Sequence, residues 1–288
     1  MAVIVVGGVE PEAGATTMAA GLAHRLAYAG NTVRVERLAG DARAEGDAAL
    51  FATLEFASAS GTPLAVPSDA AADGGVTVLE APAGADPAAI ARQAGGGRVL
   101  LVSAAGDAAS AGSTGGATTI ANRVAAGAAM AVPEDRLLAA PTVGVLREVS
   151  GARVLARSVV GDASICEHIV VGPVFEDSDE PHFGRFDRKV IVTRAEKVDI
   201  ALAALRTAPR CLILTGGHDP SPYLLDRVAS DRNTTLLLSP NDTVTTVHAI
   251  EGTFGSAAFS GAEKVERIGQ HLAAAIDDVA LAALLLGG

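Results

Sequence analysis

The stretch that decides the fold is Ala2-Val3-Ile4-Val5-Val6-Gly7-Gly8-Val9-Glu10-Pro11-Glu12-Ala13-Gly14-Ala15-Thr16-Thr17. Residues 2–6 are an unbroken apolar run, the pattern of a strand buried on both faces of a parallel sheet. The run ends in paired glycines. A loop follows, and residues 16–29 then predict a helix with Leu22, Leu26 and Ala29 on one face and Gly30 as its stop. A buried strand, a glycine-bounded turn and a helix form the opening unit of an α/β layer. Further along, residues 32–35, 76–79 and 99–102 predict strands, and residues 46–58 and 87–94 predict helices. Their alternation implies a doubly wound α/β sheet. Residues 104–119, rich in Gly, Ala, Ser and Thr, read as a loop or mobile lid. A short apolar segment at 128–132 leads into Pro133-Glu134-Asp135-Arg136, and residues 141–149 predict a helix with the domain boundary close by.

A second α/β pattern then begins. Residues 169–171, 190–193, 211–214 and 234–238 are strand candidates, and residues 199–206, 222–229 and 243–250 are helix candidates. Residues 175–188 read as an exposed charged loop, and residues 262–275 and 277–286 close the chain as helices. The expectation is two domains, 1–140 and 141–288, the second carrying a C-terminal helical tail.

The composition excludes several functions. The 288 residues carry 33 acidic and 22 basic side chains, a net charge of −11 shared by both halves. Neither half has the basic excess of a nucleic-acid or anionic-membrane binder. With no Trp, 2 Tyr and 7 Phe, base stacking has few platforms. Cys166 and Cys211 cannot make a disulfide framework and read as buried thiols in a reducing cytoplasm. The start of the chain does not read as a signal peptide, and no apolar run is long enough to span a membrane. The six histidines are scattered, and no Cys-x-x-Cys occurs, so no metal site is expected. The three lysines are Lys189, Lys197 and Lys264, so residues 1–188 contain none.

That absence bears on the first turn. A phosphate-binding turn uses glycines so that backbone N–H groups cradle phosphates at a helix N-terminus, a Lys on the β/γ-phosphates and a Ser or Thr on Mg²⁺. Gly8, Gly14, Thr16 and Thr17 fit that pattern, but Ala15 stands where the lysine belongs. Arg34, Arg37 and Arg43, on the next strand and loop, are the candidate cations to approach in its place. Three readings stay open: a βα turn that binds nothing, nucleotide or anion binding without turnover, and phosphoryl transfer.

The Gly8–Gly14 spacing resembles the dethiobiotin synthetase branch of the P-loop ATPases. So does Val78-Leu79-Glu80-Ala81-Pro82-Ala83-Gly84, set against that branch's Val-Glu-Gly-Ala-Gly. Asn122-Arg123 and Val132-Pro133-Glu134-Asp135-Arg136-Leu137 are similar to its strand-end and Pro-Glu-Asp motifs. The resemblance implies ATP or ADP with Mg as cofactor and places Glu80 near the metal. Without the lysine it implies a degenerate site and no catalytic residues.

In the second half, Leu214-Thr215-Gly216-Gly217-His218-Asp219-Pro220 ends a strand in glycines that let the backbone approach a partner or hold an anion on its N–H groups. Together with residues 190–200 (through Thr193, Glu196 and Lys197) and 239–246 (through Asp242 and Thr243), it resembles the DRTGG domain over residues 141–250. The Asp-Arg pair of that family falls on Glu196-Lys197. The resemblance marks Thr193, Glu196, Lys197, Thr215, Gly216, Gly217, Asp242 and Thr243 as effector-binding. A dethiobiotin-synthetase-like domain followed by a DRTGG domain is similar to the N-terminal region of long phosphotransacetylases, whose transferase domain is not expected here. The reading is a regulatory or assembly protein that dimerises through its DRTGG domain. The competing readings are an ATP-dependent synthetase and an accessory subunit of a separate acyltransferase.

Overall fold

A computed structural model of the protein describes residues 2–70, 74–104, 112–114, 117–125, 130–172 and 182–285. The chain divides into two compact units, Met1–Asp135 with Ala262–Gly288, and Arg136–Gly261.

In the first unit, β1 (Ala2–Gly8) leads to α1 (Ala15–Tyr28), then β2 (Val33–Arg37), α2 (Ala44–Phe51), β3 (Val76–Glu80), α3 (Pro87–Gln93) and β4 (Arg98–Ser103). After them come β5 (Gly112–Thr114), β6 (Ala117–Val124) and β7 (Ala131–Pro133). The strand order is β2-β3-β1-β4-β6-β5, with β7 also on β6. All pairings are parallel except β5–β6. Side chains alternate across a strand. Val3 and Val5 therefore pack with Leu79, Ile90 and Val99 in the core under α3, and the equally buried Ile4 and Val6 face the other way. This is why the run at 2–6 is apolar without a break. At α3, Asp86 accepts from Ala88 N–H at 2.9 Å and Pro87 stands in the first turn, where its missing N–H costs nothing. The lid expected over 104–119 is in part sheet: Gly112–Thr114 and Ala117–Val124 are strands, because Thr118–Ala121 continue the parallel ladder of β4. Residues 105–111 and 115–116 lie outside the described residues, as do 126–129, which include the first two residues of the apolar segment.

In the second unit come α4 (Arg136–Ala139), α5 (Val143–Val149), β8 (Arg153–Ala156), β9 (His168–Val171), β10 (Lys189–Arg194) and α6 (Val198–Leu205). Then follow β11 (Cys211–Thr215), α7 (Pro222–Asp231), β12 (Thr235–Leu238) and α8 (Thr243–Glu251). The sheet order is β8-β12-β11-β10-β9. Strands β9 to β12 are parallel, and β8 is an antiparallel edge. Two apolar layers share the sheet with a period of two. Ile191, Leu212, Leu214, Leu236 and Leu238 meet Ile200, Ala204 and Leu224 on one face. Val190, Val192, Cys211, Ile213 and Leu237 meet Val143, Leu146 and Ile250 on the other. Cys166 and Cys211 are free and buried, and burial raises both thiol pKa values. Strand β8 was not anticipated, since a short, partly exposed edge strand has little apolar pattern. Of the loop expected at 175–188, residues 175–181 lie outside the described residues, and His182–Arg185 form one turn of 3₁₀ helix.

The helical tail does not belong to the second unit. Helices α9 (Ala262–Ala275) and α10 (Asp278–Leu285) return to the first. Val265, Ile268 and Leu272 are buried at the spacing of one helix face. A Cβ on Gly21 of α1 would overlap Ile268 and Leu272, and one on Gly269 would overlap the His24 ring. The two helices thus approach through glycines. His24 Nε2 lies 3.0 Å from Glu266 Oε2, and Asp135 accepts from Arg267 Nε at 2.6 Å and His271 Nε2 at 2.8 Å. Among the described residues no single helix is long and apolar enough to cross a membrane.

Candidate functional site

The turn after β1 has the shape of a phosphate loop and a different chemistry. Gly14 is the N-cap of α1 with φ 96° and no side-chain cap, a conformation that favours glycine. A Cβ there would also stand 2.5 Å from Asn122 Nδ2. Gly8 is required because the turn folds back on it: a Cβ would meet Glu10 O at 2.9 Å. Asn122 donates to Ala13 O at 2.8 Å and Arg123 to Glu12 O at 3.3 Å. Both residues brace the turn. The Glu10 carboxylate accepts from Ala104 N–H and, at 3.5 Å, from Ser103. Ala15 carries no charge, Thr17 is half-buried, and Thr16 Oγ1 donates to Glu80 Oε1 at 2.8 Å.

None of the three arginines replaces the lysine. Arg34 pairs with Glu36 at 2.7 Å, and Arg43 meets Glu12 at 3.0 Å. Arg37 is buried at 2 % exposure and engaged by Asp41 at 2.5 Å, Asp47 at 3.3 Å, Glu80 at 3.6 Å and Leu38 O at 2.7 Å. Burial pushes the Glu80 carboxyl up to about 8, against the opposing pull of Arg37. Burial likewise raises Asp47. At Asp41 burial is outweighed by the Ala83 N–H and Arg37, which hold it below the ordinary range. A turn lined by Glu10 and Glu12, with its threonine hydroxyl turned onto a buried carboxyl, does not fit the phosphates of a magnesium nucleotide.

The second unit holds a cavity of about 340 Å³ lined by Arg194, Glu196, Thr215, Gly216, His218, Asp242, Thr243 and Val244. It sits at the carboxyl ends of β10 and β11 beside the start of α8, where open parallel sheets place their ligands. Its size falls at the lower end of the range for small-molecule sites, about 300–1,000 Å³. Thr215, fully buried, donates to Thr193 O at 3.3 Å and shares a 2.8 Å hydrogen bond with Thr243 Oγ1. Asp242 caps α8 by accepting from Thr245 N–H at 2.8 Å, and the bonds of that cap lower its pKa. Glu196 is also lowered, first by its own backbone N–H and then by Arg194, whose Nη2 is 2.8 Å away. The Glu196 carboxylate thus pairs with the guanidinium, and the Asp242 carboxylate with the backbone at the start of α8.

Of the residues expected to hold an effector, Glu196, Thr215, Gly216, Asp242 and Thr243 come together here. Thr193 lies beneath, reached through its carbonyl, and Gly217 adjoins. Lys197 is the N-cap of α6 and is not in the lining. The expectation that an anion sits on the glycine N–H groups is corrected: Gly216 N–H donates to Asn241 O at 2.8 Å and Gly217 N–H to Ser239 O at 3.1 Å. Both glycines have positive φ, so they serve the turn. Arg194 and His218 are lining residues that motif reading missed. Their only signal is adjacency to a strand end. Among the described residues no three or more His, Cys, Asp or Glu are arranged to hold a metal ion.

Residues 146–253 match the DRTGG domain family, so the chain contains a DRTGG domain. A solved structure of the CBS and DRTGG domains of the regulatory region of Clostridium perfringens pyrophosphatase, complexed with the activator diadenosine tetraphosphate, is similar at 16% identity. The match covers 51% of this chain and 70% of that chain, with a TM-score of 0.34.

Proposed function

We propose that this is a non-catalytic regulatory protein whose DRTGG domain binds a small polar effector in the cavity between Arg194, Thr215 and Asp242. The observation that carries the reading is the convergence of a guanidinium, two ionised carboxylates and a hydroxyl pair at the carboxyl ends of β10 and β11. The chemistry of the first turn supports it from the other side, since Ala15, Glu10 and Glu12 leave that turn unsuited to phosphoryl transfer. The resemblance to phosphotransacetylase N-terminal regions extends the reading. The protein would act in the cytoplasm as a homodimer, setting the activity of a separately encoded acyltransferase.

Calorimetric titration of the full chain with ATP, ADP, acetyl phosphate and coenzyme A tests the reading, with Arg194→Ala as the control. Binding of one of them that is lost in the variant, with no turnover, is expected. ATP-dependent ligation or carboxylation by the protein sinks it. Light scattering during size exclusion tests the dimer.

A further inference from the structure

We propose, resting on the reading of the second unit's cavity as an effector site, that Glu196 is an internal competitor there: it occupies Arg194 until a dianionic phosphate group displaces it, and so selects such groups over singly charged anions. The geometry comes from a turn. Arg194 ends β10 opposite Thr215, and its carbonyl accepts from Lys197 N–H at 3.0 Å, the span of a β-turn. That turn carries Glu196 back to its own strand end, where Oε1 meets Arg194 Nη2 at 2.8 Å. Both residues line the cavity. A guanidinium presents its N–H donors in a planar fork that matches carboxylate and phosphate alike, so a phosphate group can take the seat that Glu196 holds.

Three observations favour exchange over a fixed ion pair. The pair is open to water, with side-chain exposures of 63% and 46%, and exposed pairs hold weakly. The Glu196 carboxylate is held low first by its own backbone N–H and less by Arg194 and His218, so the turn keeps it ionised when the guanidinium lets go. The backbone donors nearby are spent: Gly216 N–H on Asn241 O, Gly217 N–H on Ser239 O and Thr245 N–H on Asp242. Among the lining residues Arg194 is therefore the standing positive charge, with His218 a second when protonated. Asp242 is committed to the α8 cap, and the positive end of that helix offsets its charge. A monoanion that replaces Glu196 exchanges one charge for one and gains nothing. A dianion brings a second charge to the guanidinium and gains by it.

The test is calorimetric titration of the full chain at constant ionic strength and mildly alkaline pH, where inorganic phosphate is chiefly dianionic. Inorganic phosphate, acetyl phosphate and ADP are the phosphate probes, and acetate is the monoanion. The wild type is expected to take at least one phosphate probe and to refuse acetate. Glu196→Gln, a change at an exposed position, is expected to melt with the wild type, to bind that probe about two- to fivefold tighter and to begin to take acetate. Arg194→Ala is expected to bind none of them. A Glu196→Gln protein that binds the probe no tighter than the wild type overturns the proposal, as does wild-type binding of acetate as tight as that of phosphate. Binding that Arg194→Ala abolishes and Glu196→Gln leaves unchanged sinks the competitor and keeps the effector site. Binding of no probe by either the wild type or Glu196→Gln sinks both.

Discussion

Replacing Glu80 by Gln keeps the shape of the buried side chain and removes its titration. In the wild type the carboxyl is held up to about 8 against an ordinary 4.5, chiefly by burial. Between those values the unfolded chain releases the proton and the folded chain keeps it. Folding therefore takes up a proton, and stability falls as pH rises through the window. The contribution is full below pH 4.5 and gone above about 8. With the carboxyl raised this far, linkage gives a loss on the order of a few kcal/mol between about pH 5 and 8. Lys264, lowered to about 8 by burial, acts in the opposite sense and only above that pH, so the two windows separate. The assay is hydrogen exchange of β3 and α1, resolved by peptide, in the wild type and Glu80→Gln from about pH 5 to 8. A local readout is needed because two units need not unfold together. After correction for intrinsic exchange, the gap between the two proteins must change by about 1–4 kcal/mol across the window, in favour of the variant at high pH. Parallel curves refute the reasoning, and with it the protonated state of Glu80.

Four other outcomes follow from particular contacts. Gly14→Ala puts a side chain at φ 96° against Asn122; unit 1 should lose about 1–3 kcal/mol, measured by urea denaturation. Gly269→Ala drives a methyl into the His24 ring and should destabilise unit 1 by about 1–3 kcal/mol while leaving exchange in β10 to β12 unchanged, which checks the assignment of α9. Thr215→Val leaves Thr243 without its buried partner and should cost about 1–3 kcal/mol, along with the effector response. Asp242→Ala removes the α8 cap and should cost about 1 kcal/mol in chemical denaturation.

The reading of sequence reached the fold where burial on two faces leaves continuous apolar runs. The runs at 2–6, 190–193 and 211–214 became β1, β10 and β11, each with one residue or more added at its ends. It missed β8 and β5, short antiparallel strands whose residues carry little pattern. It placed α9 in the wrong unit because an amphipathic helix shows that it has a partner without showing which one. Only Gly21 and Gly269, 248 positions apart in the chain, hint that α1 is that partner. At the site, the motif residues Thr215, Gly216 and Asp242 were legible because turns and caps have preferred residue types. Arg194 was not, since an exposed arginine at a strand end looks like any other. The fate of Arg37 could not be read at all. Its three carboxylates come from a following turn, a helix and another strand, and only folding brings them together.

The return of α9 to the first unit makes the second unit an insertion. During synthesis, residues 136–261 leave the ribosome whole, so the DRTGG unit has all its strands before the first unit has its last helix. Until residues 262–275 emerge, the α1 surface around Gly21 and His24 is bare, an apolar stripe awaiting its cover. A premature stop between Gly261 and Leu272 would spare the inserted unit and strand the enclosing one. Truncations within α9 should therefore leave the inserted unit folded and the enclosing one unfinished.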